Sequence, residues 1–274
     1  MKLNIVTTLL IGSVLLASCY KKFDPASYAP PFTINGFTKT SEIASANLVG
    51  YWSFDGSYVD SVSGTAATGV GTSLVPGFKG KAYQGAANSY VISNIPTAVA
   101  SLQSFTISYW INTPINSNGI VGTVNVSRAD DFWGYLDMFY ENGATATSVT
   151  FKSHVVASPG KDTWVVHNIS NPWNTWMNYT LTYDHTTGKF TVYVNGSSIA
   201  TSTAATLGAM AWPATSKLIF GTVQFQTSPS LGTAGSSQPW ANYLTGMMDE
   251  IRIYNKALSS TEIQSIIVLQ GKGK

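Results

Sequence analysis

The sequence predicts an all-β protein, a sandwich or barrel closed at its C-terminal end by one short helix. Three observations carry this. From Leu48 onward, runs rich in Val, Ile, Thr, Tyr and Phe alternate with Gly, Asn, Asp, Ser and Pro clusters at short spacing. Aromatic residues make up 12% and charged residues only 10% of the 274 residues, which suits an extracellular sheet protein better than a cytosolic enzyme. Near the end, GMMDEIRIYNKALSSTEI (246–263) reads as a strand that runs straight into a helix.

The predicted strands are Leu48–Phe54, Tyr90–Ser93, Phe105–Asn112, Ile120–Val126, Trp133–Tyr140 and Ser148–His154. Trp164–Asn168, Met177–Tyr183, Lys189–Asn195, Lys217–Gly221 and Met247–Tyr254 complete the set. Asp184–Gly188 makes a hairpin loop between two alternating runs, and Asn195-Gly196 is a second, tight turn signal. In the last strand Met248, Glu250, Arg252 and Tyr254 alternate with Met247, Asp249, Ile251 and Ile253. A regular strand therefore puts Asp249 and Glu250 on opposite faces. Ser259 and Glu262 form a capping box for a helix with Ile263, Ile266 and Ile267 on its apolar side. Residues 200–216 and 224–242 break the strand rhythm, and long loops inside a compact domain are either functional or poorly ordered. There is no internal repeat and no second apolar core, so residues 47–274 are read as one domain.

The N-terminus is a different kind of segment. Lys2 precedes an apolar run, Ile5 to Leu16, too short for a membrane span, so residues 1–18 read as a signal peptide. The run ends in Leu16-Ala17-Ser18-Cys19, which resembles the lipobox of bacterial lipoproteins. That resemblance implies lipidation of Cys19 as the mature first residue, and a lipoprotein anchored in the outer membrane or at the cell surface. The alternative is an ordinary signal peptide followed by a stray cysteine. Cys19 is the only cysteine, so no intramolecular disulfide can form. Residues 19–46, with Pro25, Pro30 and Pro31, read as a tether, in which Phe32-Thr33-Ile34 could add an edge strand. Fifteen basic against 13 acidic residues leave no basic excess of the kind that binds nucleic acid.

Gly246, Asp249, Glu250, Arg252, Tyr254, Asn255, Leu258 and Ser259 together resemble the final strand and tail of laminin-G-like (concanavalin-A-like) jelly-roll domains of bacterial secreted proteins. LVGYWSFDGSYVDSVSG (48–64) is similar to the opening strand and first loop of that family. GKAYQG (80–85), SFTISYWIN (104–112) and WMNYTLTYDHTTGKFTVYVNG (176–196) resemble its inner strands and a hairpin. The resemblance covers roughly residues 47–270. It implies a concanavalin-A-like two-sheet jelly-roll sandwich with a short C-terminal helix. It also implies one structural calcium ion pinning the first loop to the final strand, with Asp60 and Asp249 as ligands and Asp55 as a looser third. Without metal, Asp55 and Asp60 would shape a turn through side-chain to backbone hydrogen bonds. The family's association with polysaccharide foraging implies a glycan ligand and, as partners, other envelope proteins of a glycan-uptake system.

Catalytic patterns are weak. Jelly-roll glycoside hydrolases carry E-x-D-x-x-E, and none of Glu42, Glu141, Glu250 and Glu262 falls in that motif. His154, His167 and His185 are far apart, read as surface residues, and no H-E-x-x-H, C-x-x-C, G-x-S-x-G or phosphate loop occurs. Binding rather than catalysis is therefore expected, with an adhesin-like interaction module as the alternative and a hydrolase built from distant acids as the third reading. Of eight tryptophans, Trp52, Trp110 and Trp176 sit in strand motifs and read as core. Trp133, Trp164, Trp173, Trp212 and Trp240 stand at strand starts or in loops beside polar residues. There an indole can stack on the C–H face of a sugar, or it can plug an end of the sandwich.

Overall fold

A computed structural model describes residues 31–116, 119–141, 145, 147–232 and 237–274. The signal peptide read at residues 1–18, the lipidation site Cys19 and the tether as far as residue 30 lie outside the described residues. In chain order the strands begin with β1 (Leu48–Trp52), β2 (Ala67–Val70), β3 (Ser73–Pro76), β4 (Lys81–Gln84) and β5 (Tyr90–Asn94). Next come β6 (Phe105–Asn112), β7 (Ile120–Val126), β8 (Leu136–Tyr140), β9 (Ser148–Ser158) and β10 (Lys161–Ser170). The set ends with β11 (Met177–Asp184), β12 (Lys189–Val194), β13 (Ser197–Thr203), β14 (Lys217–Phe220), β15 (Ala241–Asn242) and β16 (Met247–Tyr254). Two α-helices, α1 (Thr97–Ala100) and α2 (Ser260–Gln270), accompany them.

These strands form two eight-stranded sheets, so the fold is a jelly-roll sandwich and not a closed barrel. The first has the order β13-β12-β11-β6-β16-β4-β3, with β1 beside β16. The second has the order β10-β9-β8-β7-β14-β5-β2, with β15 running parallel to β7 and all other neighbours antiparallel. Between them lies one apolar cluster that includes Trp52, Tyr109, Leu181, Phe190, Val155 and Phe220. Neighbouring residues on β8 and β10 face away from that cluster: Phe139 and Trp164 are on the outer side of the second sheet, while Met138, Tyr140 and Val165 are inside.

The predicted strands are all present. The missed ones are β2, β3, β4, β13 and β15, which are short or built of Ser, Thr, Ala and Gly and carry little apolar alternation; β4 was reached only through the resemblance of GKAYQG. The Asn195-Gly196 turn joins β12 to β13, both residues at positive φ (50° and 82°) as a two-residue hairpin turn requires. The tether was read too long. Ile34 to Asn47 belongs to the same unit as the sandwich, and Ile34, Phe37 and Ile43 pack with α2. The histidine reading changes as well. β9 and β10 run past their predicted ends, so His154 and His167 lie inside strands at 6% and 9% exposure.

The last strand departs from regular alternation. Asp249 pairs with Trp110 and Arg252 with Ser108, so β16 carries one residue more than β6 over the same interval, and Glu250 has φ 52°. This β-bulge turns Asp249 and Glu250 to the same, outer face of the first sheet. The opposite-face expectation fails there, because a single extra residue shifts the period-2 alternation. Glu250 is then closed in beneath α2. It accepts hydrogen bonds from Tyr51 Oη (2.5 Å), Arg252 Nη2 (2.9 Å) and Gln270 Nε2 (2.8 Å), and Trp110 Nε1 donates to Gln270 Oε1 at 2.8 Å. Ser259 and Glu262 make the expected capping box, and Ile263, Ile266 and Leu269 are buried. Each such side chain contributes about 1.5–3 kcal/mol of apolar burial. The D-E-x-R-x-Y motif thus fastens the closing helix to the sheet.

Candidate functional site

Three of the five tryptophans meet on the outer face of the second sheet. Trp133 ends the loop before β8, Trp164 lies on β10, and Trp240 precedes β15. Trp133 stands perpendicular to Trp164, ring centroids 5.6 Å apart at 89°, and 6.2 Å from Trp240. With Ile120, Phe139, Glu141 and Lys152 they line a cleft of about 300 Å³. Trp164 and Trp240 remain 41% and 40% exposed, so part of each ring is open to a ligand. The Glu141–Lys152 ion pair (2.5 Å) adds hydrogen-bonding groups to the lining.

Local structure explains the placement. β15 pairs with β7, and Ile120 N donates to Trp240 O at 2.8 Å. Gly119, at φ 68°, permits this approach, because a Cβ there would lie 2.0 Å from Trp240 O. Gln224, fully buried, ties the loop before β8 to the long loop before β15. Its Nε2 donates to Arg128 O, Asp131 O and Phe132 O at 2.9–3.0 Å, and its Oε1 accepts from Arg128 N at 2.6 Å. Phe132 stacks on Phe225 at 4.2 Å between those two loops. The loop before β8 and the segment Gln224–Gln226 are thereby fastened together behind Trp133.

Trp164 has its own support. The His154 ring stacks on it at 4.4 Å and 17°. His154 is held from both sides, Nδ1 by buried Asp137 (3.3 Å) and Nε2 by Asp162 (3.1 Å), while Asn125 Nδ2 donates to Asp137 Oδ1 at 2.5 Å. Burial acts to lower the His154 pKa, but hydrogen bonds and charge from Asp137 and Asp162 outweigh it, and the net shift is upward.

The other two tryptophans go elsewhere. Trp212 is 4% exposed, packs against Phe105 and donates from Nε1 to Val156 O at 2.9 Å. It is a core residue and presents no face to a ligand, which corrects its reading as a stacking platform. Trp173 is half-buried against Tyr140, with Nε1 donating to Thr145 O, away from the cleft. Phe139, Glu141, Lys152, His154 and Gln224 were not foreseen. Their only sequence signal is position on strands or loops whose outer face could not be recognised without the sheet order.

The three aspartates read as calcium ligands separate into two sites. Asp60 is fully buried and accepts from Tyr51 N (2.7 Å), Val62 N (3.1 Å), Ser63 N (3.1 Å) and Ser63 Oγ. Both its oxygens shape the first loop, as the turn reading anticipates. Asp55 and Asp249 instead share the loop between β3 and β4, accepting from Lys81 N (2.8 Å) and Lys79 N (2.9 Å). Asp249 is fully buried with no ion-pair partner among the described residues. Burial first, then the charges of Glu250 and Asp55, raise its pKa to about 7 against the hydrogen bonds from the Lys79 and Glu250 amides. No three His, Cys, Asp or Glu side chains gather as a metal cluster among the described residues. Asp60 thus spends both oxygens on the first loop, whereas Asp249 accepts only from backbone amides and feels the charge of Asp55.

The family model of the Concanavalin A-like lectin/glucanases superfamily matches residues 84–264. No curated protein matches the chain. Among solved structures the chain is similar to the botulinum neurotoxin serotype G binding domain, with TM-score 0.61 and 15% identity over 82% of this chain and 51% of that one. The serotype D ligand-binding domain, solved with N-acetylneuraminic acid, gives TM-score 0.60 and 14% identity over 85% and 52%. The DC binding domain in complex with rat synaptotagmin II gives TM-score 0.59 and 14% identity over 84% and 52%. The chain spans about half the length of these structures, and at such identity the likeness is one of fold.

Proposed function

Because the chain belongs to the Concanavalin A-like lectin/glucanases superfamily, we propose that it binds polysaccharide through the tryptophan cleft of its second sheet. The convergence of Trp133, Trp164 and Trp240 on one open cleft carries this reading. The exposed parts of Trp164 and Trp240 offer apolar surface for sugar C–H groups, while the Glu141–Lys152 pair supplies an acceptor and donors for hydroxyls. Glu141 is the one carboxylate among the described residues lining the cleft, so the lining lacks the facing acid pair that glycoside hydrolysis uses. The ligand-bound botulinum neurotoxin binding domains give the fold a precedent for recognition, of N-acetylneuraminic acid in one case and of a protein in another.

Two further parts of the reading go with it. Lipidation at Cys19 would make the protein an envelope lipoprotein that captures glycan outside the cell, which the lipobox-like Leu16–Cys19 supports. A calcium ion held by Asp55 and Asp249 would fix the β3–β4 loop to β16, supported by the buried, unpaired charge of Asp249. Retention of the protein on polysaccharide-containing native gels tests the binding function. Mobility that no polysaccharide alters would refute it, and the exposed apolar surface of Trp164, Val166 and Trp240 would then favour a protein partner.

A further inference from the structure

Around the rim from the tryptophan cleft, two cavities lie side by side, of about 410 Å³ and about 680 Å³. Asn88, Gln226 and Tyr243 form part of both walls. No charged side chain occurs among the described residues lining either one. The walls mix amides, hydroxyls and the rings of Tyr90, Tyr140 and Tyr243 with apolar side chains such as Ile115, Val121, Pro239 and Val70.

Internal hydrogen bonds set their shape. Gln226, 4% exposed, donates from Nε2 to Ala241 O (2.5 Å) and accepts at Oε1 from Gln238 N (2.6 Å). Tyr243 Oη donates to Gln226 O at 2.6 Å, and Tyr90 Oη accepts from Ser228 N at 3.0 Å. The cavities are therefore preformed, and their size is that of small-ligand sites. They are also joined to the cleft by one short segment. Trp240 lines the cleft, while its neighbours Pro239 and Ala241 line the smaller cavity. On β7 the adjacent Ile120 and Val121 divide in the same way.

We infer that this end cavity is a second subsite for the same ligand, taking uncharged, hydroxyl-rich sugar units of a chain whose other units stack in the tryptophan cleft. The inference rests on the glycan reading of the cleft. An acidic or sulfated sugar would give up its hydration here with no cation to replace it. A neutral sugar loses only hydroxyl hydration, which the exposed Asn88 amide and the remaining lone pairs of the tyrosine hydroxyls, whose protons are used internally, can restore. Two subsites separated by one rim select a chain over a free monosaccharide, since the second contact forms at high effective concentration.

The experiment measures affinity of the full-length chain for neutral hexasaccharides of glucose, mannose, galactose and N-acetylglucosamine, with hexagalacturonate as the acidic comparison. Ala87→Trp fills the smaller cavity from an exposed position. Asn88→Gly removes the shared amide while keeping a backbone that favours φ 60°. The expected result is binding of at least one neutral hexasaccharide, weakened at least tenfold by each variant with unchanged melting temperature, and little binding of hexagalacturonate. If both variants keep wild-type affinity while Trp164→Ala loses it, the second subsite is overturned and the cleft reading stands. If both weaken binding and Trp164→Ala does not, the cleft reading fails and the shared-ligand inference falls with it. Equal binding of hexagalacturonate, or no binding of any hexasaccharide, also overturns the inference.

Discussion

The indole of Trp164 lies flat on the imidazole of His154, ring centroids 4.4 Å apart, and this stack sets the open wall of the cleft. Behind it, Asp137 and Asp162 grip the two ring nitrogens of His154. The imidazole is thus both oriented and biased toward its charged form, which favours contact with an aromatic face.

The first prediction follows from the sign of that bias. Burial lowers the His154 pKa, but Asp137 and Asp162 outweigh it and the folded value lies above the ordinary 6.5. The pair's contribution to stability is therefore complete below about pH 6.5 and fades as pH rises through the raised pKa. An NMR titration of the wild type should place the His154 midpoint above 6.5, and Asp137→Asn should move it down. A wild-type midpoint at or below 6.5 contradicts the ion-pair assignment.

His167 should behave in the opposite sense. Its ring nitrogens have no hydrogen-bond partner among the described residues, and burial lowers its pKa to about 4. The unfolded chain binds this proton more readily, so stability falls as pH drops from 6.5 towards 4, by up to about 3 kcal/mol. His167→Phe keeps a ring between Phe151 and Tyr179 and removes the titration. Urea midpoints at pH 7 and pH 4.5 should show a smaller acid loss for the variant than for the wild type. Equal losses would mean that His167 does not stay neutral in the fold.

Glu250→Ala should destabilise the domain by about 3–5 kcal/mol, because it leaves the Arg252 guanidinium buried without its carboxylate. Asp130→Ala, which removes one arm of an exposed pair with Arg128, should cost less than about 1 kcal/mol. Urea denaturation compares the two. Similar small losses would show that the network under α2 contributes little to stability.

Calcium should stabilise the wild type, by about 2.7 kcal/mol at a hundredfold excess over its dissociation constant, and a chelator should reverse the gain. Asp249→Asn should abolish that response. Asp60→Asn should start from a lower melting temperature, having weakened the first loop, yet keep the response. A wild type indifferent to calcium and chelator contradicts the ion at Asp55 and Asp249.

Much of the fold was legible because its inner strands alternate strongly and its closing helix carries its own cap, Ser259 with Glu262. The strands β2, β3, β4, β13 and β15, not read from periodicity, are short or lack that alternation. The bulge at Glu250 was invisible because it inserts an ordinary residue into an alternating run, and only the pairing with Trp110 and Ser108 exposes it. Trp133, Trp164 and Trp240 were picked out from sequence only within a set of five, and Trp173 and Trp212 of that set lie away from the cleft. Trp212, in a loop stretch of Ala, Met and Pro, was grouped with them yet packs on Phe105. Local composition does not separate a platform from a plug; the tertiary neighbour does. His154 and Asp137 could not be paired from sequence, since only the β8–β9 register sets them opposite each other.

The most direct test of the cleft is calorimetric titration of wild type, Trp164→Ala and Trp212→Ala with a polysaccharide that retains the wild type on gels. Trp164 is 41% exposed and Trp212 is 4% exposed, so the two substitutions separate binding from packing. Trp164→Ala should lose about 2 kcal/mol or more of binding free energy with its melting temperature nearly unchanged. Trp212→Ala should lose about 3–5 kcal/mol of stability instead. A Trp164→Ala protein that binds as tightly as the wild type would contradict a glycan-binding role for the cleft.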